Sequence, residues 1–394
     1  MTIHAHQDAH PTKGVAATAV TEAGDADPPA PEDLLPSATP VRFLDDHGLP
    51  AGDEFRGDFA HPDEELLVET YRRMVIGRRF DAQATALTKQ GRLAVYPSSH
   101  GQEACEVAAV LALRDTDWLF PTYRDTMALI TRDIDVVEAL TLLRGEWHCG
   151  YDPMTTRTAP QCTPLATHLP HAAGLAYAAR RRGEDTVALA FVGDGGTSEG
   201  DFHEALNFAA VFGAPVVFVV QNNGFAISVP LSRQTAAPTL AHKGVGYGIA
   251  SEQVDGNDPV AVLAVVDAAV ARARETGRPM LVEAHTYRIE AHTNADDATR
   301  YRDGGDVEKW VQRDPVRRLQ HYLSTSGALT DDAVAGIEAE AESFAADVRQ
   351  RLATDADVEA DELFQHVFAE PTAQIEEQRR WRVEDEAGDE NGDV

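Results

Sequence analysis

The chain has 394 residues, 43% of them apolar, which is too many for one small core and suits one large α/β domain or two smaller ones. Thirty-four basic against sixty-five acidic side chains leave a formal charge of −31, which repels phosphate backbones and anionic lipid surfaces and argues against nucleic-acid and membrane binding. Cys105, Cys149 and Cys162 show no paired spacing, so a disulfide scaffold or zinc module is not expected, and a reducing cytoplasm fits best.

Residues 1–42 hold six prolines and no Phe, Trp or Tyr, and are expected to form a disordered tail. The start lacks the cationic and apolar runs of a signal peptide, and no apolar run is long enough to span a bilayer. One α/β domain with peripheral helices is expected over 43–380, followed by a disordered acidic tail at 381–394.

Within the domain, Leu66, Leu67, Tyr71, Met74 and Val75 recur at helical spacing, predicting a helix over 62–90. Continuous apolar runs at 186–191 (TVALAF), 216–221 (VVFVVQ) and 280–287 (MLVEAHTY) read as strands, separated by helical segments. That alternation predicts a mostly parallel, doubly wound sheet covered on both faces. Val334, Ile337, Ala341, Phe344, Val348 and Leu352 predict a last amphipathic helix over 330–352.

The densest information lies in residues 191–228, FVGDGGTSEGDFHEALNFAAVFGAPVVFVVQNNGFAIS. They read as strand, glycine-rich turn, acid, helix, strand and an asparagine pair. Ligands of doubly wound sheets bind beyond the carboxyl ends of the strands, so Asp194 and Asn223 are expected to converge there. Gly193, Gly195 and Gly196 allow positive φ and close backbone approach, which suits a diphosphate. Asp194 would repel that anion unless a divalent cation intervened, and the Asp194 carboxylate, the Asn223 amide and the Phe225 carbonyl make an oxygen set suited to Mg²⁺. A nicotinamide-binding fold is disfavoured, because GDGGTS lacks the G-x-G-x-x-G pattern.

GDG followed after 26 residues by Asn-Asn resembles the signature of thiamine-diphosphate enzymes. YPSSHGQEACEVAA, DWLFPTYRD, TPLATHLPHAAG, VDGND and TYRIEAHTNADDATRYR extend the likeness over roughly 60–370. Across that span the chain resembles α subunits of the decarboxylating first component of 2-oxo acid dehydrogenase complexes. TLLRGEWHCGYDP and QTAAPTLAHK are most similar to bacterial branched-chain members, with pyruvate-specific members as the alternative.

The resemblance implies an enzyme that uses thiamine diphosphate and Mg²⁺ to decarboxylate a branched-chain 2-oxo acid oxidatively. It implies a β subunit in a two-α, two-β assembly, and acyl transfer to a lipoyl-bearing acyltransferase. It places Tyr123, Arg124, Gly195, Gly196 and Gln221 at the cofactor's diphosphate, although Gln221 stands where Arg is common. Thr163 corresponds to a pyrimidine-side contact, Leu165 to the bulky residue that holds the cofactor bent, and His292 to an active-site histidine. Cys162 and His168 replace the Ser and Gln that hold a potassium ion in some members, so none is expected. Glu290 and Ala291 replace smaller or stiffer residues before His292, which is expected to alter loop mobility. A non-catalytic diphosphate binder is the alternative from a different class.

Overall fold

Five strands run parallel in the central sheet: β1 (Trp118–Phe120), β2 (Ala188–Gly193), β3 (Val216–Asn222), β6 (Ala250–Asp255) and β7 (Met280–His285), in the spatial order β1-β2-β3-β7-β6. A short antiparallel hairpin, β4 (Phe225–Ala226) and β5 (Val229–Pro230), follows β3 directly. The computed structural model describes residues 30–353, 361–365 and 367–389. Residues 1–29 and 390–394, the outer parts of the two expected tails, lie outside the described residues.

The central strands are apolar on both faces because both faces are covered. Leu189, Phe191, Val217, Val219 and Val282 join one core with helices Glu103–Leu111 and Pro259–Thr276. Their sequence neighbours Ala188, Ala190, Val192, Val216, Phe218 and Val220 point the other way, into a core under helices His168–Arg181 and Gly200–Phe212. The three strands read from the sequence are the inner ones. The edge strands β1 and β6 escaped that reading because the first has three residues and the second, ASEQVD, is two-thirds polar.

The predicted first helix runs Glu64–Lys89 and the late one Asp331–Arg351, with the Thr330 hydroxyl accepting from Ala333 N–H at its start. They pack together, with Phe80 edge-on to Phe344 at 6.3 Å. Among the described residues, no helix is long and apolar enough to cross a membrane.

Both expected tail boundaries are corrected. Residues 30–42 are not a loose tail: Val41 is 1% exposed and bridges β6 at Val254, exchanging backbone hydrogen bonds with Gln253 and Asp255. This contact covers the open edge of the sheet. The buried Asp258 carboxylate strengthens the attachment, accepting from Phe43 and Leu44 N–H while capping Val260 and Ala261 of the next helix. At the other end, helix Ala373–Asp389 continues into the expected acidic tail, since its Glu, Gln, Arg and Ala residues favour helix even where little is buried.

Candidate active site

Strand register sets the site. Gly193 lies opposite Gln221 and Asn222 opposite His285, so the chains leaving β2, β3 and β7 emerge side by side at one carboxyl edge. A cavity of about 240 Å³ opens there. Tyr123, Arg124, Leu165, Asp194, Gly195, Gly196, Gln221, Asn223, Phe225 and His292 all line it. Thr163 does not: it is exposed, and the segment's contribution to the lining is Leu165. The neighbouring Ala166 adopts a left-handed φ of 67°, a conformation uncommon for a residue with a Cβ.

The cavity floor is made of oxygens. The amide tip of Asn223 facing Asp194 lies 3.2 Å from its Oδ1 and 3.1 Å from the Phe225 carbonyl oxygen. That tip accepts from Phe225 N–H at 3.3 Å, as an amide oxygen does. Asp194 is 1% exposed, and burial raises its carboxyl to about 6 even though Gln234 Nε2 donates to Oδ2 at 3.1 Å.

None of Gly193, Gly195 and Gly196 has a positive φ, contrary to the expectation for this turn. Residues Asp194–Ser198 instead form a 3₁₀ turn. What matters there is space: a Cβ on Gly195 would lie 2.6 Å from that of Ala226, and one on Gly196 would lie 2.6 Å from Val192 Cγ2. The glycines let the β4–β5 hairpin close over the turn.

The opposite wall is cationic. Arg124, buried, donates to the Ser98 and His292 carbonyls at 2.8 and 3.1 Å. Arg288 donates to the Ile227 carbonyl at 2.9 Å, fixing a β-branched residue at a φ of 55°. Neither arginine forms an ion pair with a carboxylate among the described residues. Both guanidinium groups instead reach His292 Nδ1 at 3.1 Å. Two donors on Nδ1 leave the ring proton on Nε2, so the neutral imidazole is a donor on its other side. Burial, then Arg124 and Arg288, lowers the His292 pKa to about 4. Tyr123 packs edge-on to that ring at 6.1 Å.

The loop carrying His292 is stitched to itself and to its surroundings. His292 N–H donates to Asp296 Oδ2 at 2.8 Å, Tyr301 OH also bonds Asp296, and Glu290 meets His100 at 3.2 Å. Reading the sequence alone missed Gln102, Asp125, Glu199 and Arg288, all of which line the cavity. Arg288 stood inside the quoted TYRIE stretch, four residues before His292, and an arginine followed by a histidine on one loop was the available signal.

A parallel sheet with an oxygen-lined floor and an arginine wall at its carboxyl edge makes a cavity suited to an anionic ligand. The family model described as "Dehydrogenase E1 component" matches residues 71–358, and the chain belongs to that family. It is 44% identical over 341 residues to 3-methyl-2-oxobutanoate dehydrogenase subunit alpha of Mycobacterium tuberculosis H37Rv, covering 86% of this chain and 92% of that protein. Over 294 residues it is 40% identical to pyruvate dehydrogenase E1 component subunit alpha of Staphylococcus aureus N315, covering 74% of this chain and 78% of the relative. Membership makes the chain an enzyme component dependent on thiamine diphosphate.

Proposed function

We propose that this chain is the α subunit of a branched-chain 2-oxo acid dehydrogenase, which decarboxylates its substrate oxidatively and passes the acyl group to a lipoyl-bearing acyltransferase. The observation that carries the site reading is the convergence of Asp194 Oδ1, the Asn223 amide oxygen and the Phe225 carbonyl. Their neighbours lie 3.1–3.2 Å apart, and adjacent oxygens around an octahedral Mg²⁺ lie about 3 Å apart. With the Asn223 oxygen, rather than its NH₂, facing Asp194, three acceptors at such spacing suit a cation. The branched-chain choice rests on the longer and closer match to the mycobacterial relative; pyruvate is the second reading.

Bound here, thiamine diphosphate supplies the carbon nucleophile and the electron sink for decarboxylation. The protein's residues bind and orient. Asp194, Asn223 and the Phe225 carbonyl hold Mg²⁺. Arg124 and Arg288, without carboxylate partners, offer forked donors to phosphate oxygens. Gly195 and Gly196 bring backbone close to the same anion, and Tyr123 covers it. Leu165 gives the cofactor's organic part an apolar support. His292 presents Nε2–H to a diphosphate oxygen or to the substrate carboxylate.

Activation of the cofactor also needs an acid at its pyrimidine end. The resemblance to the family puts that acid, a glutamate, on a separate β chain, in a two-α, two-β assembly. An exposed aromatic patch supports a subunit interface: Phe208 and Phe212 stack at 5.8 Å on helix Gly200–Phe212, and Tyr177 joins them at 5.4 Å. Free Cys105, Cys149 and Cys162 suit a reducing cytoplasm.

The test is steady-state decarboxylation of 3-methyl-2-oxobutanoate, 4-methyl-2-oxopentanoate and pyruvate, with α alone and with its β partner. Turnover is expected only with β, and fastest with a branched substrate. Turnover by α alone would overturn the shared-site reading. A preference for pyruvate would overturn the substrate, and cofactor binding without turnover in the α/β pair would favour the non-catalytic alternative.

A further inference from the structure

Beneath the cavity floor, three carboxamides are joined end to end. Gln221 Nε2 donates to Asp125 Oδ1 at 2.6 Å, Gln102 Nε2 donates to Gln221 Oε1 at 2.6 Å, and Asn223 Nδ2 donates to Gln102 Oε1 at 3.0 Å. All four residues are at most 6% exposed, so water does not replace these partners freely. Each amide has one donor end and one acceptor end, which gives the chain a direction. That direction is set at Asp125, whose other oxygen accepts from Thr122 N–H at 2.6 Å.

The opposite direction would let Asn223 donate to Asp194 Oδ1 and the Phe225 carbonyl. It would also put the Asn223 oxygen 3.0 Å from Gln102 Oε1. Turning Gln102 and Gln221 over in response would leave two oxygens 2.6 Å apart at Asp125. An ionised Asp125 excludes that arrangement. The conflict therefore keeps the Asn223 oxygen, rather than its NH₂, towards Asp194.

We propose that Asp125, Gln221 and Gln102 form an amide relay that holds the Asn223 oxygen in the orientation a divalent cation requires, making these three residues positioning residues for the metal site. Gln221 accordingly serves the metal through Gln102 and Asn223, its carboxamide being engaged away from the diphosphate. The inference rests on the metal reading of Asp194, Asn223 and Phe225 given above.

The test uses the α/β holoenzyme, thiamine diphosphate and Mn²⁺ as the probe, with free Mn²⁺ read by electron paramagnetic resonance. In Asp125→Asn, Thr122 N–H claims the new amide oxygen and the NH₂ faces Gln221, which reverses the relay. Mn²⁺ affinity is expected to fall about 10–100-fold, the range for losing an orienting partner of a metal ligand. Adding Gln221→Glu gives an acceptor both to the introduced NH₂ and to Gln102 Nε2, so the double variant should recover to within roughly threefold of the parent. Should Asp125→Asn fail to assemble, Gln221→Met frees Gln102 to turn, with an expected loss of about three- to tenfold.

Failure of the parent holoenzyme to bind Mn²⁺ would reject the metal site itself. With the parent binding, unchanged affinity in Asp125→Asn or in Gln221→Met overturns the relay. So does a double variant as weak as the single one, because a loss from disturbed packing would not be reversed by restoring polarity.

Discussion

The floor and the wall of the cavity are built in different ways. The floor, Asp194 to Asn223 and Phe225, sits at the ends of two adjacent inner strands, and parallel register brings these residues together. The wall hangs from a loop after β7 and is assembled by side chains from distant parts of the sequence: Arg124, Arg288 and His292 meet through one imidazole nitrogen. A floor set by backbone tolerates little adjustment, whereas a wall set by side-chain pairs can open and close around a ligand. Substitution in the floor should therefore abolish binding, and substitution in the wall should grade it.

Asp194→Asn is the largest expected break. It removes the anionic ligand while keeping shape, so Mn²⁺-dependent cofactor affinity should fall on the order of a hundredfold or more. Because the carboxylate is buried at a cost in the metal-free chain, thermal stability without metal should be unchanged or higher. Isothermal titration and a melting curve check both signs; metal binding that survives the change would remove Asp194 from the floor.

Arg288→Gln should weaken cofactor binding less, by about 1.5–3 kcal/mol, or roughly ten- to a hundredfold, the range for a charged hydrogen bond. It carries a second signature. Burial and the two arginines hold the His292 pKa at about 4, so removing one cation should move its NMR titration upward, toward 6.5. An unmoved titration would mean that desolvation alone sets this histidine and that the wall is not electrostatically coupled.

Acid provides a graded test of the floor. With Asp194 raised to about 6, a proton competes with the cation below that pH. Mn²⁺ affinity should be nearly constant above pH 6 and fall by about tenfold for each unit below it, as expected for one competing proton. His292, at about 4, stays neutral across that window and contributes no second inflection. A flat profile down to pH 5 would show that Asp194 is not the titrating ligand.

The same contrast explains what could be read without coordinates. Asp194, Asn223 and the inner strands were legible because a two-residue period fixes which side chains share a face, and parallel order fixes which turns share an edge. Arg288 and Gln102 were not, since their roles depend on contacts across the fold that no local spacing encodes. The glycine turn was placed correctly but for the wrong reason, with steric room under Ala226 taking the part assigned to positive φ. Residues 30–42 misled because composition cannot reveal that one buried valine will meet an open sheet edge.

The smallest effect expected is at the loop's outer tie. Glu290 pairs with His100 at 3.2 Å with 55% and 32% of their side chains exposed, so the pair contributes less than about 1 kcal/mol. Burial is the largest single influence and lowers the His100 pKa, but the Glu290 hydrogen bond together with the Glu103 and Asp81 charges outweighs it and the value is raised. The tie is consequently fully present below the ordinary histidine range and lost as pH rises through the raised value. Glu290→Gln should expose residues 287–302 to limited proteolysis up to about fivefold faster near pH 6, with the difference shrinking in high salt and at pH 9. Equal cleavage of both forms at every pH would show that Asp296, through His292 N–H and Tyr301 OH, holds the wall without help from Glu290.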